Sequence, residues 1–228
     1  MNEIITLATD LVAIRSVPDR PKDLERALER ALRELKGFTI ERFERNGVKS
    51  ALVYREKKRP KRFKVVLNAH LDVIPGKDAQ YVPRVSNGRL YGVGAMDMKG
   101  NAAAMIHAFK RTAKELAYPI ALQLTTDEEL GGFDGTRYQI ARGVRTDFVL
   151  AGEPTNFYIV HRAKGILWLE IVAKGKTAHG AYPWRGINAI MEMQRFLAAL
   201  AKAFPNPEIE RWKTTVNVAR IATTNDAY

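Results

Sequence analysis

One histidine and five acidic residues stand where apolar runs end or loops turn: His70 and Asp72, Asp97, the pair Glu128-Glu129, and Glu153. A single imidazole with several carboxylates and no thiolate is a donor set for Zn²⁺, Co²⁺ or Mn²⁺, at a catalytic rather than a structural site. Asp72, two residues beyond His70, points to the same side of an extended segment, where it can accept the imidazole's other N–H and fix the ring's tautomer. Asp97 precedes a helical stretch and can place one oxygen on each of two metals, which together lower the pKa of a shared water. In Glu128-Glu129 neighbouring side chains diverge, so one can bind metal while the other takes a proton from that water.

The elements that must position these groups read as buried strands. His70 follows Phe63-Lys64-Val65-Val66-Leu67-Asn68-Ala69, Glu128 comes just after Ile120-Ala121-Leu122-Gln123-Leu124-Thr125-Thr126, and Glu153 follows Asp147-Phe148-Val149-Leu150-Ala151-Gly152. Apolar runs of this length suit a parallel sheet covered on both faces, and in open α/β sheets the chemistry gathers beyond the carboxyl ends of the strands. Helical spacing is clear from Ile4 to Ile14, ended by Val17-Pro18, and again from Leu24 to about Leu35, with Asp23 as its expected cap and Gly37 as its stop. Strands over 38–43 and 50–55 are joined by Asn46-Gly47, a hairpin signal. A helix is expected from Met98 to about Leu116, a short one over 134–141, and a long one from Ile187 to about Ala203; further strands are expected at Ile166–Val172 and Thr214–Ile221. The fold class is therefore α/β, a mostly parallel mixed sheet with flanking helices over 1–164, followed by a second α+β domain over 165–228.

Bulk properties narrow the function classes. The 228 residues are 46% hydrophobic, enough for a sizeable core, and no apolar run approaches the roughly 20 residues that span a bilayer. The N-terminus lacks the basic flank of a signal peptide, so a cytoplasmic protein is expected and no membrane partner. The absence of Cys removes disulfides, thiolate ligands and a thiol nucleophile. A net charge of +12 invites a nucleic-acid reading, but the basic residues are interleaved with 25 acidic ones; the one dense cluster, Lys57-Lys58-Arg59-Pro60-Lys61-Arg62, reads as a solvated hairpin turn and not as a nucleic-acid patch.

Asn68-Ala69-His70-Leu71-Asp72-Val73-Ile74-Pro75 resembles the first metal motif of the acetylornithine deacetylase / succinyl-diaminopimelate desuccinylase family of co-catalytic, aminoacylase-like metallopeptidases. Gly92-Val93-Gly94-Ala95-Met96-Asp97-Met98-Lys99-Gly100 resembles its second, Thr126-Asp127-Glu128-Glu129-Leu130-Gly131-Gly132 its third, and Gly152-Glu153-Pro154-Thr155 its fourth. Ala178-His179-Gly180-Ala181-Tyr182-Pro183, with Gly186-Ile187-Asn188-Ala189-Ile190, resembles the motif of its lid domain. Any one of these is weak; together, in this order along nearly the whole chain, they are specific.

The resemblance implies roles. His70 and Glu153 hold one metal, Asp97 bridges, and Glu129 holds the other; Glu128 is the general base and later the proton donor; Asp72 supports His70; His179 stabilises the oxyanion, often in a partner's site. Two Zn²⁺ are implied, with Co²⁺ or Mn²⁺ as alternatives, a homodimer through the lid, and a cis peptide at Asp97–Met98. The implied reaction is hydrolysis of the amide bond of an N-acyl amino acid; the alternatives are a carboxypeptidase or dipeptidase acting on a short peptide, or a catalytically incomplete metal-binding, dimerising fragment. Relatives take one further metal-ligating His from a C-terminal segment. This chain has only His70, His107, His161 and His179, and Thr223–Tyr228 reads as lid interior, so a chain truncated within the lid is expected.

Overall fold

In the computed structural model, which describes residues 2–223, helix α1 (Glu3–Val12) begins where the Asn2 side chain accepts from the Ile4 amide at 2.9 Å. Helix α2 (Pro21–Leu32) starts on Pro21, whose missing N–H costs nothing at a first helical position. Asp23 is therefore not the cap: it lies inside the first turn and pairs with Arg20 and Arg26 at 3.1 and 3.2 Å. Strands β1 (Thr39–Arg45) and β2 (Val48–Tyr54) meet across Asn46-Gly47, both with positive φ, the turn that matches the strands' own twist. The remaining elements of this unit are β3 (Phe63–His70), a small hairpin β4–β5 (Arg84–Ser86, Arg89–Tyr91), α3 (Gly100–Thr112), β6 (Ile120–Thr125), α4 (Thr136–Ala141) and β7 (Thr146–Ala151). Helix α3 is shorter than expected at both ends, because Asp97 and Met98 have non-helical backbone and the peptide between them is cis.

The sheet order is β1-β2-β6-β3-β7, with β6, β3 and β7 parallel and β2 antiparallel to both its neighbours. Four of the five strands thus point one way, as the apolar runs imply. Side-chain alternation divides the core. Ala51, Val53, Leu67, Ala69, Ile120, Leu122 and Leu124 face α1, α2 and α3, whereas Leu52, Tyr54, Phe63, Val66 and Ala121 face the side where Tyr138 of α4 packs. Every residue of β6 is buried, which is why its sequence is an unbroken run and not an alternation. The basic segment 57–62 is not a hairpin turn, because β6 lies between β2 and β3 and the segment must cross over it. Two of its arginines are tied down: Arg59 donates to Glu41 and the Arg142 carbonyl, and Arg62 to the Thr146 carbonyl and Asp147.

The described chain divides between Ile159 and Val160, against an expected boundary after Lys164. In the second unit, α5 (Ala189–Ala203) is capped by Asn188, which accepts from the Ile190 and Met191 amides, and Lys176 and Ile187 exchange both backbone hydrogen bonds. The strands expected at Ile166–Val172 and Thr214–Ile221 are not formed. Neither run finds a hydrogen-bonding partner among the described residues, and a run of high β propensity without a ladder is not stable as a strand. Ile166, Leu167 and Trp168 stay about as exposed as in an open chain. Thr224–Tyr228, read as lid interior, lie outside the described residues. Among the described residues no helix is long and apolar enough to cross a membrane.

Leu122 is fully buried in the central strand between both helical layers. Leu122→Ala should lower stability by about 2–5 kcal/mol through lost transfer energy and an unfilled cavity. Urea unfolding followed by circular dichroism reads this; an unchanged midpoint would mean that β6 is not central.

Candidate metal centre

Parallel register assembles the site. His70 lies opposite Thr125, and Asn68 opposite Ala151, so the residues just beyond β3, β6 and β7 leave the sheet at one edge. Adjacent strands are only about 4.8 Å apart, which brings His70, the Glu128-Glu129 turn and Glu153 together. The fourth contributor, Asp97, arrives on the turn before α3. His70 Nε2 lies 3.2 Å from Asp97 Oδ1 and 3.8 Å from an oxygen of both Glu128 and Glu153. His70, Asp97 and Glu129 each place a ligand atom within 4.8 Å of the others'. The imidazole is buried, while Asp97, Glu128 and Glu153 are roughly half exposed, so the site opens to solvent on its carboxylate side.

Asp72 is fully buried and reaches His70 differently from the simple expectation. Nδ1 of His70 is 2.9 Å from the backbone carbonyl of Asp72 and 3.5 Å from its carboxylate Oδ1. Because a carbonyl only accepts, Nδ1 carries the proton and Nε2 turns toward the carboxylates. The second carboxylate oxygen accepts from the Glu129 amide at 2.9 Å. One side chain thus touches both the ring and the backbone of the acidic pair.

The charges are unbalanced as they stand. Burial pushes the Glu129 and Glu153 carboxyls above the usual carboxylate range, and although His70 counteracts it, Asp97 and Glu128 push both further up. Burial alone disfavours an imidazolium at His70, but Asp72, Glu153 and Glu128 outweigh it and carry the pKa up to about 9. Such a group takes up a proton where it lacks another cation. A divalent cation meets the same need with oxygen and nitrogen donors already gathered, and the donor set fits one.

The sequence profile of peptidase family M20/M25/M40 matches residues 66–220, more than half of the chain. The chain belongs to this family. It is 34% identical over 218 residues to a succinyl-diaminopimelate desuccinylase of Alkalilimnicola ehrlichii, covering 88% of this chain and 56% of that protein. An acetylornithine deacetylase of Myxococcus xanthus is 33% identical over 202 residues, covering 84% of this chain and 52% of that one. This M20 chain therefore spans about half the length of the curated relatives it matches. Among solved structures, an aminopeptidase PepT from Bacillus cereus superposes with a TM-score of 0.54 at 20% identity, covering 98% of this chain and 62% of its own. An M20 metallo-carboxypeptidase from Sulfolobus solfataricus gives 0.55 at 19% identity over 67% of this chain and 37% of its own. Both show the fold. Members of the family are hydrolases acting on amide or peptide bonds.

Other expected residues fall elsewhere. His107 lies on α3 with Nδ1 3.7 Å from Glu3, far from the role of a second imidazole ligand. His179 lies in the second unit, where its Nδ1 accepts from the Ala181 amide at 3.1 Å, so its proton sits on Nε2. Two supports escaped sequence reasoning. Asp127 Oδ2 accepts from the Asp134 and Gly135 amides, both at 2.9 Å, and so folds the loop that carries the acidic pair; a Cβ at Gly135 would strike its other oxygen. The Asp127…Gly135 spacing was the available signal. Lys99 is fully buried and donates to the Ile14 carbonyl at 2.7 Å, anchoring the Asp97 turn to the chain beyond α1; burial pulls its pKa down to about 7.

A metal requires the neutral ring of His70, whereas the metal-free fold keeps it protonated up to about pH 9 against an ordinary 6.5. By the sign of this shift, the protonated ring stabilises the metal-free fold fully below its ordinary value, and that contribution is lost as pH rises through about 9. Metal affinity should do the reverse, falling about tenfold for each pH unit below that value. Zinc titration against a chromophoric chelator at several pH values reads this, and an affinity independent of pH would contradict it.

Proposed function

We propose that this chain provides the metal-binding part and most catalytic groups of a metal-dependent hydrolase that cleaves the amide bond of an N-acyl amino acid. The observation that carries this reading is the convergence of Asp97, Glu128, Glu129 and Glu153 on the open side of one buried imidazole. His70 and Glu153 would hold one cation, Glu129 a second, and Asp97 would span both. Zinc is our first choice, with cobalt or manganese acceptable to the same donors. When bound, such a pair supplies Lewis acidity and a water of lowered pKa.

Glu128, half exposed beside His70, takes the proton of the attacking water and passes it to the departing amine. Asp72 keeps the His70 ring in the tautomer that presents Nε2 and holds the Glu129 amide. His179, with its proton on Nε2, donates to the oxyanion of the tetrahedral intermediate. The relatives named a desuccinylase and a deacetylase support N-succinyl and N-acetyl amino acids as the substrate class, within amino-acid metabolism in the cytoplasm. A homodimer through the second unit goes with this reading, since Ile166, Leu167, Trp168 and Ile190 are all largely exposed there.

A second reading rests on β7. Phe148, Val149 and Leu150 are about half exposed or more, so both faces of that strand are uncovered although its composition is that of a buried one. On this reading the chain is a metal-binding part that needs further polypeptide for turnover.

Glu128→Gln should lower amide hydrolysis of N-acetyl and N-succinyl amino acids by about 10²–10⁴-fold while leaving bound metal in place. Amine release assayed with zinc- or cobalt-loaded protein separates the outcomes. Equal turnover by the variant would sink the assignment of Glu128, and metal retention without any turnover by the unaltered chain would favour the second reading.

A further inference from the structure

We propose that Asn101 is a positioning residue of this centre: its side-chain amide, from the first turn of α3, holds the Gly152 carbonyl and so sets the bearing of Glu153 toward Asp97. The proposal rests on the metal-centre reading of the same site and adds a residue outside the chemistry-bearing set.

Glu153 is reached through a glycine that has no conformational preference of its own. The Gly152 amide makes one last bond to the Asn68 carbonyl of β3, at 3.1 Å. Its carbonyl then turns to α3 and accepts from Asn101 Nδ2 at 2.6 Å. That oxygen belongs to the planar peptide unit whose other end is the nitrogen of Glu153. Holding the oxygen therefore fixes the plane, and with it the direction in which the Glu153 side chain departs. No side chain at position 152 can do this instead, because a Cβ there would strike Met105 Sδ and Met98 Cε.

The clamp also ties two ligands to one body. Asp97 sits on the turn that runs into α3, and Asn101 is four residues further on. The turn is fixed by Lys99, whose amide donates to the Gly94 carbonyl at 2.8 Å and whose ammonium donates to the Ile14 carbonyl. The helix is fixed by Ala102, Ala103 and Ile106, all fully buried. Asp97 is thus placed by the start of α3 along the chain, and Glu153 by the same start of α3 through one hydrogen bond. Both approach the same nitrogen, His70 Nε2, at 3.2 and 3.8 Å.

The test compares the unaltered chain with Asn101→Ala, which removes the amide, and Asn101→Leu, which keeps its bulk but cannot donate. Zinc affinity by chelator competition should fall about 10–100-fold in both variants, with the thermal unfolding of the metal-free proteins recorded alongside. In the metal-free proteins the Gly152 carbonyl ¹³C and Glu153 amide ¹⁵N resonances should also move. Recovery of zinc affinity by Leu would show that bulk and not the hydrogen bond is at work, and would overturn the proposal. Unmoved resonances would overturn it as well, even if the unaltered chain bound no zinc and the metal-centre reading itself fell.

Discussion

Carboxylates of like charge gathered around one buried imidazole repel one another, and most of this structure can be understood as the means of holding them there. Asp97, Glu128 and Glu153 lie within 3.2–3.8 Å of His70 Nε2, and Glu129 completes the cluster. Left to itself, such an arrangement relaxes by spreading apart or by taking up protons; the raised carboxyls of Glu129 and Glu153 and the raised imidazole of His70 are that tendency expressed in titration. The fold opposes spreading with rigid attachments. His70 ends a strand bonded on both sides, Glu129 is held at its amide by Asp72, and the loop after it is folded around Asp127.

The attachments are arranged by distance from solvent. Asp72, Lys99 and Asp127 are buried and act on backbone or on the ring, whereas the groups that would meet metal and substrate are half open. Asp72 spends one carboxylate oxygen on the Glu129 amide and keeps the other near His70, so the imidazole and the acidic pair are not placed independently. Exposure of the working carboxylates limits the desolvation that their charges must bear, and burial of the supports gives their hydrogen bonds strength and direction.

Legibility in the sequence follows the range of the interaction. β3, β6 and β7 are legible because a strand covered on both faces must be an unbroken apolar run, and the Asn46-Gly47 hairpin because only certain residues tolerate its backbone. The principal site residues are legible because a metal admits few side-chain types. What fails is what depends on a distant partner. Ile166–Val172 has strand composition, but a strand needs a ladder and finds none among the described residues. The segment 57–62 reads as a hairpin turn because nothing local reveals that β6, more than fifty residues later, inserts between β2 and β3. Asp23 resembles a cap until Pro21 is given its due as a first helical residue. Asn101 has no chemical signature at all; its role depends on a carbonyl brought to it by β7.

The central claim is that these residues hold metal, and the most direct measurement is the metal content of the chain after dialysis against zinc, by elemental analysis, with Asp97→Ala beside it. The account predicts zinc retained by the unaltered chain in at least equimolar amount and lost from the variant, since Asp97 faces His70 Nε2 more closely than any other carboxylate does. A chain that leaves dialysis without zinc, or that keeps it unchanged when Asp97 is removed, would contradict the account.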